Sequence, residues 1–147
     1  MTREDLLRFM RSHKYAVQAS VSSAGRPQGA VVGIAVSSTF EIVFDTLETS
    51  RKAVNLARNP AMALVIGGTG DGDERTVQYE GLADIPSGVE LERARELYFE
   101  WFPDGRDRLQ WPGVIHVRVR PIWIRYSNFN IQPPDIVEFS AAELTSM

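Results

Sequence analysis

Apolar and polar residues alternate along much of this chain, and the alternation gives way in three places to a period near 3.6. A period of two sends successive side chains to opposite faces of a strand, whereas 3.6 collects them on one side of a helix. The segment "YAVQASVSS" (15–23) is β-rich and partly alternating. "AGRP" (24–27) has turn chemistry, and "QGAVVGIAVSS" (28–38) and "FEIVFDT" (40–46) read as the next two strands, so 15–46 is predicted to form a meander. "AMALVIGG" (61–68) reads as a buried strand, "ERTVQYEGLADI" (74–85) as a longer, half-polar one, and "GVIHVRVRPIWIRY" (113–126) as a long alternating one. Near the C-terminus "IVEF" (136–139) is short and β-prone.

The helical stretches carry end signals. Residues 2–11 begin with Thr2 and Asp5 in capping-box spacing, followed by Leu6, Leu7, Phe9 and Met10 on an apolar side. Residues 50–58 follow Thr49 or Ser50 as N-cap, place Ala53, Leu56 and Ala57 on one face beside Val54, and stop before Pro60. Residues 87–102 start with Ser87 and Glu90, another capping-box pair, and continue with Val89, Leu91, Ala94, Leu97, Tyr98 and Phe102. "PDGRDR" (103–108) reads as a turn or loop. About six strands with few helices, and no regular βαβ alternation, argue against a doubly wound parallel sheet. The expectation is a single domain (1–147), mainly β: a six-stranded antiparallel barrel with short packed helices.

Composition narrows the function. The chain has 147 residues, a net charge of −3 and no cysteine. Cysteine nucleophiles, thiolate metal sites and disulfides are therefore excluded. The acidic balance argues against a nucleic-acid partner, and no apolar run approaches the ~20 residues of a membrane span. The expected location is cytoplasmic.

Several clusters read as structural. "GGTGDG" (67–72) separates two strands and lacks a following helix, so it is a hairpin loop rather than a phosphate loop. His13 and His116 are the only histidines and form no ligand cluster; His116 alternates with Arg118 and Arg120 and is expected on a polar outer face. Glu90, Glu92 and Glu96 beside Arg93 and Arg95 read as a solvated face. Arg118, Arg120, Trp123, Arg125 and Tyr126 interleave cations with aromatics and are the place for a nucleic-acid platform, if there is one. Trp101, Phe102 and Trp111 belong either to the core or to a subunit contact.

One feature resists a structural reading. Arg51 and Lys52 open a helix, at the end where the dipole repels cations. Either both point into water at a cost of tenths of a kcal/mol, or an anion sits among them, where side chains, free N–H groups and dipole all favour it.

The order of elements, with "IVFDT" (42–46), "SRKAVNLARNPAMAL" (50–64) and "ERTVQYEGLA" (74–83), resembles the FMN-binding split-barrel family of pyridoxamine 5′-phosphate oxidase. The likeness is strongest over 15–85 and looser after 86. It implies a six-stranded split β-barrel, a homodimer with the cofactor at the subunit interface, and FMN or alternatively a deazaflavin. By that resemblance Arg51 and Lys52 hold the cofactor phosphate with Ser50 and Thr46 nearby. The flavin ring would lie along the backbone of Val31, Val32, Gly33 and Ile34, with Gly33 permitting close approach. Thr76 or Gln78 would reach its polar edge, and Trp111 would come from across the interface. Ala30 and Ala35 stand where the oxidase has basic residues, and an Arg-x-His near the C-terminus is missing, which argues against pyridoxamine phosphate as substrate.

The function so implied is an FMN-dependent oxidoreductase acting on a small molecule, with no catalytic side chain identifiable. The alternatives are a non-catalytic flavin, deazaflavin or haem binder, and, in a different class, a sheet-based nucleic-acid module on 116–126.

Overall fold

The computed structural model describes residues 1–145. Its first helix, α1 (Arg3–Arg11), begins as its sequence dictates. Thr2 Oγ1 accepts from the Asp5 N–H at 3.1 Å and the Asp5 carboxylate accepts from the Thr2 N–H at 3.0 Å. Leu6, Phe9 and Met10 then turn into the core. The strands are β1 (Tyr15–Val21), β2 (Pro27–Gly33), β3 (Ala35–Val36), β4 (Ile42–Leu47), β5 (Ala61–Gly67), β6 (Arg75–Asp84), β7 (Val114–Asn128) and β8 (Asp135–Ser140). Three further helices are α2 (Arg51–Arg58), α3 (Gly88–Trp101) and α4 (Ala141–Thr145). Gly67 pairs with Thr76, so the glycine-rich segment is the β5–β6 hairpin loop, as expected.

All pairings are antiparallel, in the order β2-β1-β5-β6-β7-β4-β3, with β8 on β7. The two ends of this path, β2 and β3, are consecutive in the chain and separated by Ile34 alone. The sheet therefore curls into an open half-barrel. β7 is long enough to serve two regions, pairing with β4 through its first half and with β8 through its second. A bulge sets Gly81 opposite Pro121 and Glu80 opposite Trp123, leaving Ile122 unpaired. Gly81 is required there, because a Cβ would stand 2.5 Å from the Arg120 carbonyl oxygen.

The main core runs from Leu6 to Leu144 and lines the concave side of the sheet. Tyr79, fully buried, donates its O–H to the Phe40 carbonyl at 2.7 Å, with the Val119 carbonyl 3.1 Å away. A second, smaller core lies under α3, where Ala94, Tyr98, Phe99 and Phe102 cover Ala35 and Val43.

Several expectations are corrected. The strands number eight among the described residues, not six, because 28–38 breaks at Ile34 and the tail contributes β8. β5 is buried on one face only: Met62, Leu64 and Ile66 point inward while Ala61, Ala63 and Val65 are exposed. The segment after α3, expected as a turn or loop over 103–108, is a 3₁₀ helix, Pro103–Gln110. At the start of α3, Ser87 makes no capping bond, and the Glu90 carboxylate goes to Arg118 at 2.6 Å. Phe99 rather than Val89 belongs to the buried stripe of that helix.

Candidate functional site

The N-terminus of α2 is built from β4 and the turn that follows it. Ser50 is the N-cap: its Oγ accepts from the Ala53 N–H at 3.2 Å and from the Thr46 hydroxyl at 3.0 Å. Thr46, Ser50, Arg51 and Lys52 are thus brought to one corner. The helix is aimed by its far side. The buried Asn55 amide donates to Ser20 Oγ at 3.0 Å and to Gln28 Oε1 at 2.9 Å, and Arg58 Nη2 donates to the Val21 carbonyl at 2.6 Å. These bonds tie α2 to β1 and β2. Asn55 was missed at the sequence level. Its signal was available, as a polar residue beside the apolar face of a short helix.

The corner is electropositive. The N–H groups of Arg51 and Lys52 fall in the first helical turn, where no intrahelical acceptor exists. Among the described residues, neither side chain has a carboxylate within 4.0 Å. Lys52 is half-buried, and that burial pushes its ammonium pKa down. A group placed so gains from any anion that shares the corner.

The other residues named from sequence lie along the outer face of the sheet. Register aligns Val31 with Val17, Val17 with Val65, and Val65 with Gln78, a single row across β2, β1, β5 and β6. Val31 is 66% exposed, Val17 43% and Val65 46%. Val32 and Ile34 alternate with Val31 and Gly33, so their side chains enter the core and only their backbone faces this row. Thr76 is half-buried and pairs with Gly67. The space above Gly33 is filled by Phe102 of the same chain, whose Cζ would stand 2.6 Å from an added Cβ. Trp111 is exposed. Its loop reaches the turn before α2 within the same chain, because the Gly113 carbonyl accepts from the Glu48 N–H at 2.7 Å and Leu47 pairs with Val114.

The long strand β7 departs from its expected role. His116 and Arg118 do not face water; His116 is 1% exposed and Arg118 7%. The physical reason is α3, which crosses that face and converts a polar row into a covered one. Arg118 is clasped by Asp84 at 2.8 Å and Glu90 at 2.6 Å. His116 packs edge-on against Tyr98 and Phe99, with neither ring nitrogen hydrogen-bonded. Burial pushes its pKa down. Beside it Asp45 accepts from Tyr98 Oη at 3.0 Å and Arg108 Nε at 2.7 Å, which pins the 3₁₀ turn to β4. The nucleic-acid platform is not assembled either, and here other elements are responsible, α1 packing on Tyr126 and β8 pairing with the second half of β7. Arg118 and Tyr126 are buried, and Arg125 is paired with Glu138. Of the expected solvated face on α3, Glu92, Arg93 and Glu96 are exposed, but Glu90 serves the Arg118 clasp. Of the aromatics at the end of α3 and beyond it, Phe102 is core while Trp101 and Trp111 are exposed.

The family model described as pyridoxamine 5′-phosphate oxidase matches residues 2–127. The chain belongs to the pyridoxamine 5′-phosphate oxidase-like split-barrel family. No curated protein matches it. Among solved structures of this split-barrel kind, a haem-binding protein from Mycobacterium smegmatis superposes with a TM-score of 0.83 at 15% identity, covering 99% of this chain and 60% of that one. The chain thus spans about 60% of that relative's length. A pyridoxamine 5′-phosphate oxidase-related, FMN-binding protein from Nostoc punctiforme gives 0.70 at 14% identity, covering 93% and 88%. The haem storage protein HutZ from Vibrio cholerae gives 0.70 at 18% identity, covering 82% and 91%. At these identities the likeness is one of fold. No helix among the described residues is long and apolar enough to cross a membrane.

Proposed function

We propose that this chain is a flavin-binding split-barrel protein that holds the phosphate of FMN, or of a deazaflavin, at the N-terminus of α2. The observation that carries this reading is the pair Arg51 and Lys52, set at the positive end of a helix without carboxylate partners among the described residues. The donor set fits a phosphate dianion: two cationic side chains, two first-turn N–H groups and the hydroxyl of Ser50, which accepts from Thr46 and Ala53 and keeps its own proton to donate. The ring would then run along the outer face of β2 toward Gln78, with Val31 beside it and with Phe102, rather than the ring, covering Gly33. When bound, a flavin supplies the hydride or electron transfer; this chain supplies position, charge and exclusion of water. Binding, rather than catalysis, is the part of the function to which named side chains are assigned, and an oxidoreductase activity on a small molecule is the extension of it.

The same face is proposed to pair with a second copy. Its row of Val31, Val17 and Val65 is apolar and exposed, as are Leu82 and Ile122 nearby on β6 and β7. Exposed apolar patches of this kind mark association surfaces.

Haem is the second reading, favoured by the two haem-binding proteins among the structural neighbours. Against it, His116 is enclosed by aromatic rings; His13 donates Nδ1–H to the Phe9 carbonyl at 3.0 Å, which leaves Nε2 as the nitrogen a haem iron would use. Titration of the purified protein with FMN, riboflavin and haemin decides between them. The expected result is FMN binding that weakens about 100-fold or more in Arg51→Ala/Lys52→Ala, since each charge-assisted contact contributes about 1.5–3 kcal/mol. Riboflavin, which lacks the phosphate, should be insensitive to the same change. Equal FMN affinity in the double variant removes the phosphate assignment, and a Soret band with no flavin binding favours haem.

A further inference from the structure

A cavity of about 250 Å³ opens between the C-terminal end of α1, the β2–β3 bend and the end of α3. Arg11, His13 and Lys14 stand on one side, and Ile34, Trp101 and Phe102 on the other. No acidic residue lines it, although the chain as a whole has a net charge of −3. Arg11 Nε donates to the Val36 carbonyl at 2.9 Å, which fixes the guanidinium and leaves its remaining N–H groups for another acceptor. Lys14 Nζ rests 5.4 Å from the Phe102 ring centre and 5.6 Å from that of Tyr15, on ring faces rather than on a carboxylate. The α1 dipole explains why cations collect at this end of the helix. It does not explain why they converge on a hollow with an aromatic wall. Trp101 is 42% exposed at its rim, a large ring held in water beside two cations.

We propose that this cavity binds small aromatic carboxylates, with the ring against Trp101 and Phe102 and the carboxylate between Lys14 and Arg11. The volume falls below the ~300–1,000 Å³ of pockets for drug-sized ligands, which suits one or two rings. Phe102 is shared with the proposed flavin strand, since the same ring covers Gly33. As a binding site the cavity stands by itself; as the substrate site of a flavin enzyme it rests on the flavin reading.

The test is calorimetric titration of flavin-free protein with 2-naphthoate, and with 2-naphthol as its uncharged counterpart. Binding of 2-naphthoate with a dissociation constant below about 1 mM is expected, with 2-naphthol at least about tenfold weaker, as for loss of a charge-assisted contact. Lys14→Met and Trp101→Ala should each weaken 2-naphthoate about tenfold, while Arg26→Met, a distant exposed cation, should not. The Trp101 indole N–H signal in a ¹H–¹⁵N spectrum should shift on titration. No binding by the wild type, or binding indifferent to Lys14→Met, overturns the proposal. FMN affinity measured on the same variants separates the two readings: Lys14→Met should lose the carboxylate and keep FMN, whereas Arg51→Ala/Lys52→Ala should do the reverse.

Discussion

Phe102 occupies the volume that a side chain at position 33 would need: a Cβ built on Gly33 would meet its Cζ at 2.6 Å and its Cε1 at 2.8 Å. The same ring stacks on Tyr98 at 4.7 Å between centres. Phe102 is therefore clamped between β2 and α3, and even one added methyl must push it. Gly33→Ala should destabilise the protein by about 1–3 kcal/mol through overpacking. In the Phe102→Ala background the same substitution should cost much less, a non-additivity readable from urea denaturation of the four proteins.

Arg118 holds α3 to the sheet through two carboxylates. It is itself buried, but the Asp84 and Glu90 side chains keep 45% and 52% of their exposure. Arg118→Met should therefore destabilise by about 1–3 kcal/mol, less than the ~3–5 of a fully enclosed pair. Loss of the clasp should also raise hydrogen exchange in 88–101 ahead of the strands, measurable by mass spectrometry.

His116 predicts an acid sensitivity. Its ring is buried against Tyr98 and Phe99; Arg95 and Arg108 oppose its protonation and Asp45 favours it, with burial the largest influence. Its folded pKa lies below the ordinary 6.5, so the unfolded chain takes up the proton first. The stability it contributes is whole above about pH 6.5 and is lost as pH falls toward the folded value, at up to about 1.4 kcal/mol per pH unit. Denaturation midpoints between pH 7.5 and 5 should decline for the wild type, and less steeply for His116→Leu.

The exposed row on the outer face predicts self-association. Val65→Glu puts a charge at its centre, between Val17 and Gln78. Light scattering should find a dimer for the wild type and a monomer for this variant, with the fold retained, because the side chain points away from the core.

Much of this was legible in the chain. Periodicity placed α1, α2, α3 and most strands, since a strand or helix needs only its own neighbours to declare its period. The cap at Thr2 was legible for the same reason, and that of α2 to within one residue, Thr49 or Ser50: such bonds close within three residues. The oddity of Arg51 and Lys52 was likewise local, a charge placed against a dipole a few ångströms away.

What the sequence could not contain was which face of each element meets another. His116 and Arg118 alternate as an outer face should, and only the passage of α3 over β7 buries them. Glu90 has the spacing of a capping residue, yet an arginine 28 positions away in the chain claims it. Val31 and Gln78 share a row only because three strand pairings bring them into line. The cavity between Lys14 and Trp101 joins residues from opposite halves of the chain. Local chemistry determined the elements and their ends; burial, partners and hollows were decided by long-range packing, because each depends on atoms that the chain brings together only when folded.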